Sequence, residues 1–374
     1  MKNIAVFFGG KSVEHDISII TAMQAMKALP KSKYKVLPIY IKSDGTFVAE
    51  KNLNSPQTFL NFNKFAKNVR SVSFEFGKGN VVLSKNGKIK EKIKIDCALL
   101  CNHGHGGEDG ALQGLLELAE IAYTSSSLAS SALCMDKVLT KIMLKSAHIK
   151  TPAYVHFNID EYKAKKVEIL SEIKEKIKLP CIIKPASLGS SVGISICEDG
   201  AKLESLIEES FVYDDKIIVE QFVENAREYC CAVVKIGDKM FSSTVKEVGK
   251  SKIYTFTDKY ISAKEEKGKV AKELDGKITK LAKQTYGALL CDGVVRVDFL
   301  YDKKDNIMYV NELNSIPGSL AYNLFSLPFA DLLTSLIEEG IERYKKKKDL
   351  IYSFNSEAIQ KYIDMEDHVK YKMS

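Results

Sequence analysis

The amino-acid sequence predicts a mixed α/β protein, α+β over the whole chain, that opens with a mostly parallel sheet covered by helices. Three observations carry that reading. Short apolar runs alternate with helical stretches through the first third of the chain, the pattern of strand–helix–strand units. The 374 residues are 45% hydrophobic and 28% charged, the balance of a globular chain of two or three domains. Later strands carry charged residues two positions apart inside valine-rich runs, which places them together on one face.

The elements follow in order. Ile4–Phe8 is a strand entering the Gly9-Gly10 turn, and a helix is expected over Ser18–Ala28. A second strand covers Lys35–Ile41, and 42–94 is strand-and-turn material that elaborates the same unit. Ala98–Leu100 is a strand, and a helix runs over Leu112–Ala119, with Glu108 and Asp109 placed to cap it. A second unit begins near Ser125, with one helix over Ser130–Ser146, another over Asp160–Lys176, and a hairpin-like pair, Cys181–Pro185 and Gly193–Cys197. The small residues between that pair, Ala186 to Val192, form a loop able to bring backbone N–H groups close to a ligand. A third unit starts around Glu220, with strands at Tyr229–Ile236, Val294–Leu300 and Ile307–Leu313. Its lysine-rich stretch 246–269 is long enough to be a lid. The expected domains are therefore 1–124, 125–219 and 220–374, the last ending in a polar tail, 350–374.

Several function classes are disfavoured. No apolar run reaches the ~18 residues that span a bilayer, and the first residues lack the shape of a signal peptide. A cytoplasmic protein with no membrane association is expected. The eight cysteines fall mostly in apolar segments, as free thiols do. Cys97, Cys101, His103 and His105 lie too close along a strand and its turn to fold into a tetrahedral zinc cage. The net charge of +7 comes almost wholly from scattered lysines, and the only arginines are Arg70, Arg227, Arg296 and Arg343, so no nucleic-acid-binding face is visible. Gly9-Gly10-Lys11-Ser12 suggests a phosphate loop, but Ala5 stands where that motif needs glycine. Gly189–Gly193 matches a nucleophile elbow, yet a strand follows it and not a helix.

Four features hang together. Arg296 and Asp298 share one strand face, as do Glu312 and Asn314 on the next strand. Charges there need a partner, and a magnesium-bound nucleotide supplies one, since Mg²⁺ prefers hard oxygens; an internal ion-pair network is the alternative. Lys184 ends a strand directly before the Gly-Ser-Ser loop, where it can hold phosphates or simply face solvent. Glu220-Gln221-Phe222-Val223 with Glu228 can form an adenine slot with a carboxylate near the ribose. Glu14 and His103 lie on loops after parallel strands, where ligands bind in open α/β sheets.

The chain resembles the D-alanine–D-alanine ligases of the ATP-grasp superfamily, from Phe7 to about Phe325. The matching segments are Gly9 to Glu14, His103 to Gly114, Met135-Asp136-Lys137, Ile183-Lys184-Pro185 with Gly189 to Gly193, Lys259-Tyr260, and Arg296-Val297-Asp298 with Asn311 to Gly318. The resemblance implies an ATP-grasp fold, with a substrate-binding N-terminal domain followed by two ATP-binding units. It implies that Lys137, Lys184 and the Ser191 loop contact ATP phosphates. Glu220, Gln221, Phe222 and Val223 would frame the adenine, and Glu228 the ribose. Lys259 would reach the transferring phosphate, and Asp298, Glu312 and Asn314 would hold two Mg²⁺ ions, with Mn²⁺ as a substitute. Glu14 would anchor the first D-alanine's ammonium, supported by Ser190 and Tyr260, while His103 lines its pocket. Arg296 and the backbone of Gly318 would form the oxyanion site, with Asn323 and Leu324 at the second D-alanine. The implied reaction joins two D-alanines through an acyl phosphate, for peptidoglycan synthesis, in a homodimer. From Glu220 to Glu228 the chain has one residue more than the family pattern, and Asn323 stands where many members carry serine. A ligase forming a D-alanine–D-lactate ester is the nearest alternative, against which Tyr260 speaks, and a nucleotide-binding protein without catalysis is the other.

Overall fold

In a computed structural model, residues 1–60, 62–66, 69–248, 269–271 and 273–373 are described, and they build three sheets. The first contains β1 (Lys2–Gly9), β2 (Tyr34–Ile41), β3 (Phe47–Ala49), β4 (Arg70–Glu75), β5 (Asn80–Lys85), β6 (Lys88–Lys94) and β7 (Cys97–Leu100). Its order is β6-β5-β4-β3-β2-β1-β7. Only β2, β1 and β7 are mutually parallel, while β3 to β6 continue the sheet as antiparallel neighbours. The expected mostly parallel sheet is therefore corrected to a parallel centre with an antiparallel wing. The reason is local: Asn86 and Gly87 both adopt positive φ between paired Lys85 and Lys88, the two-residue turn whose twist suits a hairpin. Ile4 to Phe8 are fully buried, as a strand covered on both faces must be.

The second sheet contains β8 (Tyr154–Asn158), β9 (Cys181–Pro185), β10 (Ser195–Cys197) and β11 (Lys216–Gln221) in the order β10-β9-β11-β8. All its pairings are antiparallel, and β9 with β10 is the expected hairpin-like pair. β11 runs through residue 220, so Glu220 and Gln221 belong to this sheet.

The third sheet contains β12 (Arg227–Ile236), β13 (Lys239–Ser242), β14 (Lys246–Val248), β15 (Lys269–Val270), β16 (Val294–Asp302) and β17 (Ile307–Asn314). Its order is β15-β14-β12-β16-β17, with β13 also on β12. β14 and β15 pair antiparallel. The expected lid, 246–269, includes β14 and the first residue of β15, and its residues 249–268, with Lys259 and Tyr260, lie outside the described residues.

Two long helices of the sequence reading are broken. The expected helix over 130–146 is two, Leu128–Met135 and Lys137–Ser146, because Asp136 is extended (φ −85°, ψ 109°). Its carboxylate accepts the N–H groups of Val138 and Leu139, so the residue that stops one helix caps the next. The expected helix over 160–176 breaks likewise at Lys165 into Ile159–Ala164 and Lys166–Lys176, and Asn158 with Glu161 forms a capping box at its start.

The largest core joins the first and third sheets. Leu332, Leu333, Leu336 and Ile337 of the helix Phe329–Lys348 are buried with Ile4, Leu99, Ala232 and Val294. Arg343 of that helix donates to the carbonyls of Tyr123 and Ser125, both at 2.8 Å. This packing fixes the loops after β1 and β7 relative to the segment that follows β17.

Candidate active site

Glu14 closes the loop after β1 and precedes the helix His15–Ala28. It is 8% exposed, and Ser190 Oγ donates a hydrogen bond to its Oε1, joining segments 176 residues apart. A Cβ at Gly189 would stand 2.9 Å from Glu14 Oε2, so a larger residue there would press on the Glu14 carboxylate. Ser190 and Ser191 both adopt left-handed backbone (φ 54° and 59°), a strained arrangement that concentrates at ligand-binding loops.

His103, in the loop after β7, is buried with both ring nitrogens engaged. Nδ1 lies 2.7 Å from Ile316 O, which only accepts, so Nδ1 carries the proton; Nε2 lies 2.8 Å from Thr21 Oγ1 and accepts from it. Thr21 Oγ1 in turn accepts from Ser319 N at 3.0 Å. Burial, with Arg296 nearby, holds His103 down at about 4, so the ring is neutral. The structure thus makes His103 a tie between the first sheet and the segment holding Gly318. Glu108 is a second tie. It does not cap the helix Ala111–Leu118 as the sequence suggests, because its side chain turns inward, accepting from Gly104 N and Ile316 N, each at 2.8 Å. Asp109 alone remains near that helix start, accepting from Ala111 N. Burial first and Glu14 second push the Glu108 carboxyl up. Gly318 opens a short turn, Gly318–Leu324, in which Ser319, Leu320 and Ala321 are all left-handed, held by these ties and by burial of Leu320 and Ala321.

On β16, Arg296 makes a two-pronged ion pair with Asp298, Nε to Oδ1 at 2.7 Å and a terminal nitrogen to Oδ2 at 2.8 Å. Asn314 of β17 donates to Asp298 Oδ2 at 3.1 Å. Asp298 and Glu312 are register partners, so two like charges lie opposite one another, an arrangement that favours a cation beside them. Among the described residues no three His, Cys, Asp or Glu converge as a metal site. The oxygen set here is two carboxylates and an amide, which fits a Mg²⁺-type ion that takes its other ligands from phosphate and water.

A lysine cluster lies beside this set. Lys184 at the end of β9 donates to Glu220 Oε2 at 2.8 Å, and Lys141 Nζ lies 3.3 Å from Glu220 Oε1. Lys137, the first residue of its helix, donates through Nζ to Leu188 O at 2.6 Å, and its own N–H bonds to Ala186 O. Burial lowers the Lys137 pKa and the Glu312 carboxylate opposes that, so the lysine cluster and the β16–β17 carboxylates feel one another. Burial would raise Glu220, but Lys141 and Lys184 outweigh it and hold the carboxyl at about 2.

The remaining expected residues lie at or just after the end of β11, on β12, and in the turn Gly318–Leu324. Gln221 ends β11, with half-buried Phe222 and buried Val223 following it. Glu228 lies on β12 in register with Leu300 and Val248. Asn323 is exposed, its carbonyl taking a hydrogen bond from Lys246 at 3.2 Å. The Leu324 side chain belongs to the main core and its carbonyl accepts from Thr244 N, so only its backbone can face a ligand.

Thr21, Glu108 in its inward role, Asp136 and Lys141 were not legible as site residues. One signal was available for Lys141: two lysines four positions apart at the start of a helix share a face. No signal pointed to Thr21, whose partner Ser319 is 298 residues away.

The comparisons with known proteins point to one family. The D-ala D-ala ligase N-terminus family model matches residues 3–126, and the D-ala D-ala ligase C-terminus model matches residues 143–338. A D-alanine–D-alanine ligase of Thermosipho africanus is 38% identical, covering 95% of this chain and 98% of its own. The structure of the D-alanine–D-alanine ligase from Coxiella burnetii is similar with a TM-score of 0.78 and 27% identity, over 93% of this chain and 98% of that one. The VanG D-Ala:D-Ser ligase from Enterococcus faecalis gives a TM-score of 0.75 and 30% identity, over 91% and 99%. Among the described residues no helix is long and apolar enough to cross a membrane. With its ATP-grasp sheets, its buried glutamate–serine contact and its matches to both halves of one model pair, the chain belongs to the D-alanine–D-alanine ligase family, whose members are ATP-dependent ligases.

Proposed function

We propose that this chain joins two D-alanine molecules into D-alanyl-D-alanine at the expense of ATP, for peptidoglycan synthesis. The observation that carries the reading is the contact between Glu14 and Ser190, which closes the N-terminal loop over the loop that follows Lys184. A buried carboxylate there suits a substrate ammonium, and Lys137, one of the lysines that this reading gives to the phosphates, donates to Leu188 O of the same loop.

In this reading Lys137 and Lys184, with the Ser191 loop, hold the triphosphate. Glu220 faces the adenine amino group, Gln221, Phe222 and Val223 frame the base, and Glu228 takes the ribose. The carboxylate of the first D-alanine, held through its ammonium by Glu14, attacks the γ-phosphorus, giving an acyl phosphate and ADP. The lysines offset the repulsion between the two anions. The neutral amine of the second D-alanine attacks the acyl carbon, and Arg296 with the Gly318 N–H stabilises the oxyanion before phosphate leaves. Asp298, Glu312 and Asn314 would hold divalent ions, which supply charge neutralisation at the transferring phosphoryl group. Asn323 and the Leu324 backbone take the second carboxylate. Lys259 and Tyr260, in the expected lid, would close over the acyl phosphate, which water would otherwise hydrolyse. The division of labour into an N-terminal substrate unit and two nucleotide-binding units, the homodimer, the cytoplasmic location and the Mg²⁺ or Mn²⁺ requirement rest on family membership.

The test is phosphate release from ATP with Mg²⁺, comparing D-alanine alone with D-alanine plus D-serine or D-lactate, and L-alanine as control. Stimulation by D-alanine alone, with the dipeptide identified by mass, is the expected result. Stimulation only when D-serine or D-lactate is added would move the assignment to the mixed ligases, of which VanG is a structural neighbour. ATP binding without turnover in any mixture would overturn the catalytic reading.

A further inference from the structure

Lys141 is 1% exposed, on the same helix face as Lys137 and one turn further on. Its Nζ lies 3.3 Å from Glu220 Oε1 and 5.7 Å from the centre of the Tyr154 ring. Glu220, also 1% exposed, gives its other oxygen to Lys184. The Lys141–Glu220 contact is an ion pair without hydrogen-bond alignment, and among the described residues neither Lys141 Nζ nor Glu220 Oε1 has another hydrogen-bonding partner. Lys141 and Lys184 therefore share one carboxylate in a nearly dry setting, with Lys137 close by and answered by Glu312, which leaves excess positive charge around Glu220. Such an excess is costly unless an anion completes it.

Two demands fall on Lys184. It neutralises Glu220 here, and in the function proposed above it must also reach ATP phosphates. An ammonium drawn toward phosphate would leave Glu220 behind as a buried carboxylate, which would protonate or turn away. Lys141 cannot follow the phosphates, because it is enclosed between Glu220 and Tyr154.

We propose that Lys141 is the resident counter-ion of Glu220, a positioning residue that keeps this carboxylate charged and in place when Lys184 transfers to the phosphates, and so sets the preference for adenine nucleotides. A carboxylate accepts hydrogen from the 6-amino group of adenine and repels the 6-oxo group of hypoxanthine. The inference rests on the reading of Glu220 as the residue that faces the adenine.

The test measures dissociation constants for ATP and inosine triphosphate, with Mg²⁺, in the full chain and in Lys141→Met, Glu220→Gln and the double variant. Wild type should prefer ATP. Lys141→Met should weaken ATP tenfold or more and inosine triphosphate less than threefold, so that the preference collapses. The double variant should bind ATP no worse than Glu220→Gln. Equal weakening of both nucleotides by Lys141→Met, or losses that multiply in the double variant, would overturn the proposal, since a merely structural lysine would produce them. Should Lys141→Met fail to fold, Lys141→Gln in the Glu220→Gln background carries the same test. There, ATP affinity within threefold of Glu220→Gln supports the counter-ion role and a further tenfold loss refutes it. A wild-type chain that binds neither nucleotide would instead sink the nucleotide-site reading itself.

Discussion

Thr21 and His103 share a hydrogen bond of 2.8 Å between the helix after β1 and the loop after β7, and each passes it on to the segment that follows β17. Ile316 and Ser319, which flank Gly318, are thereby both held to the N-terminal unit. A backbone N–H that must meet an oxyanion gains from such fixing, because misplacement by about 1 Å can cost ~10²-fold in rate.

Thr21→Val keeps the shape and removes the hydroxyl. It leaves Ser319 N and His103 Nε2 without their shared partner, so stability should fall by about 1–3 kcal/mol, read from urea unfolding. The kcat for D-alanine-dependent phosphate release should fall by roughly tenfold or more with KM for ATP little changed, since the lysine cluster proposed to hold the nucleotide is elsewhere. An unchanged kcat would show that the tie does not position Gly318.

His103 has a pKa of about 4 in the folded chain, below the ordinary ~6.5 of an exposed histidine. As pH falls, the unfolded chain takes up the proton first, so this residue contributes stability above pH ~6.5 that is lost progressively down to about 4, on the order of 3 kcal/mol. Glu108 contributes with the opposite sign, its raised carboxyl favouring the fold at lower pH. The difference between wild type and His103→Gln isolates the histidine. The wild-type advantage in unfolding free energy should shrink between pH 7 and pH 5, and a constant gap would refute the buried neutral ring.

Asp136→Ala removes the cap of the helix that begins at Lys137 and also the ion pair with Lys216. A loss of about 1–2 kcal/mol is expected from the cap. Because the cap sets where Lys137 starts, KM for ATP should rise several-fold in steady-state kinetics. A stability loss with KM for ATP unmoved would separate the cap from nucleotide binding.

Arg296→Lys retains the charge but cannot make the two-pronged pair with Asp298, whose two oxygens are held at 2.7 and 2.8 Å. The kcat should drop ~10²-fold or more if Arg296 also meets the oxyanion, while thermal stability changes by less than about 1 kcal/mol because the pair is partly exposed. Rapid-quench detection of ADP formation without dipeptide would place the defect at the second step, and equal loss of ADP formation would place it at the first.

A strand with a long uninterrupted apolar run, such as β1, can be read from the residues alone, and so can motifs whose chemistry lies within a few positions. Arg296 with Asp298 and the Gly-Ser-Ser loop are of this kind, since i and i+2 geometry and glycine content are properties of short segments. The break at Asp136 was also written locally, as a capping residue inside a helical pattern, but its apolar flanks masked it. The tertiary structure alone decided which distant groups meet. Glu14 finds Ser190, Thr21 finds Ser319, Glu108 turns inward to Ile316, and Lys141 shares Glu220 with Lys184. Each pairing depends on how the sheets and the helix Phe329–Lys348 pack, and burial then converts ordinary side chains into held protons and fixed charges. A buried polar group must find a partner wherever the packing puts one, and that constraint acts through space and leaves no period in the chain.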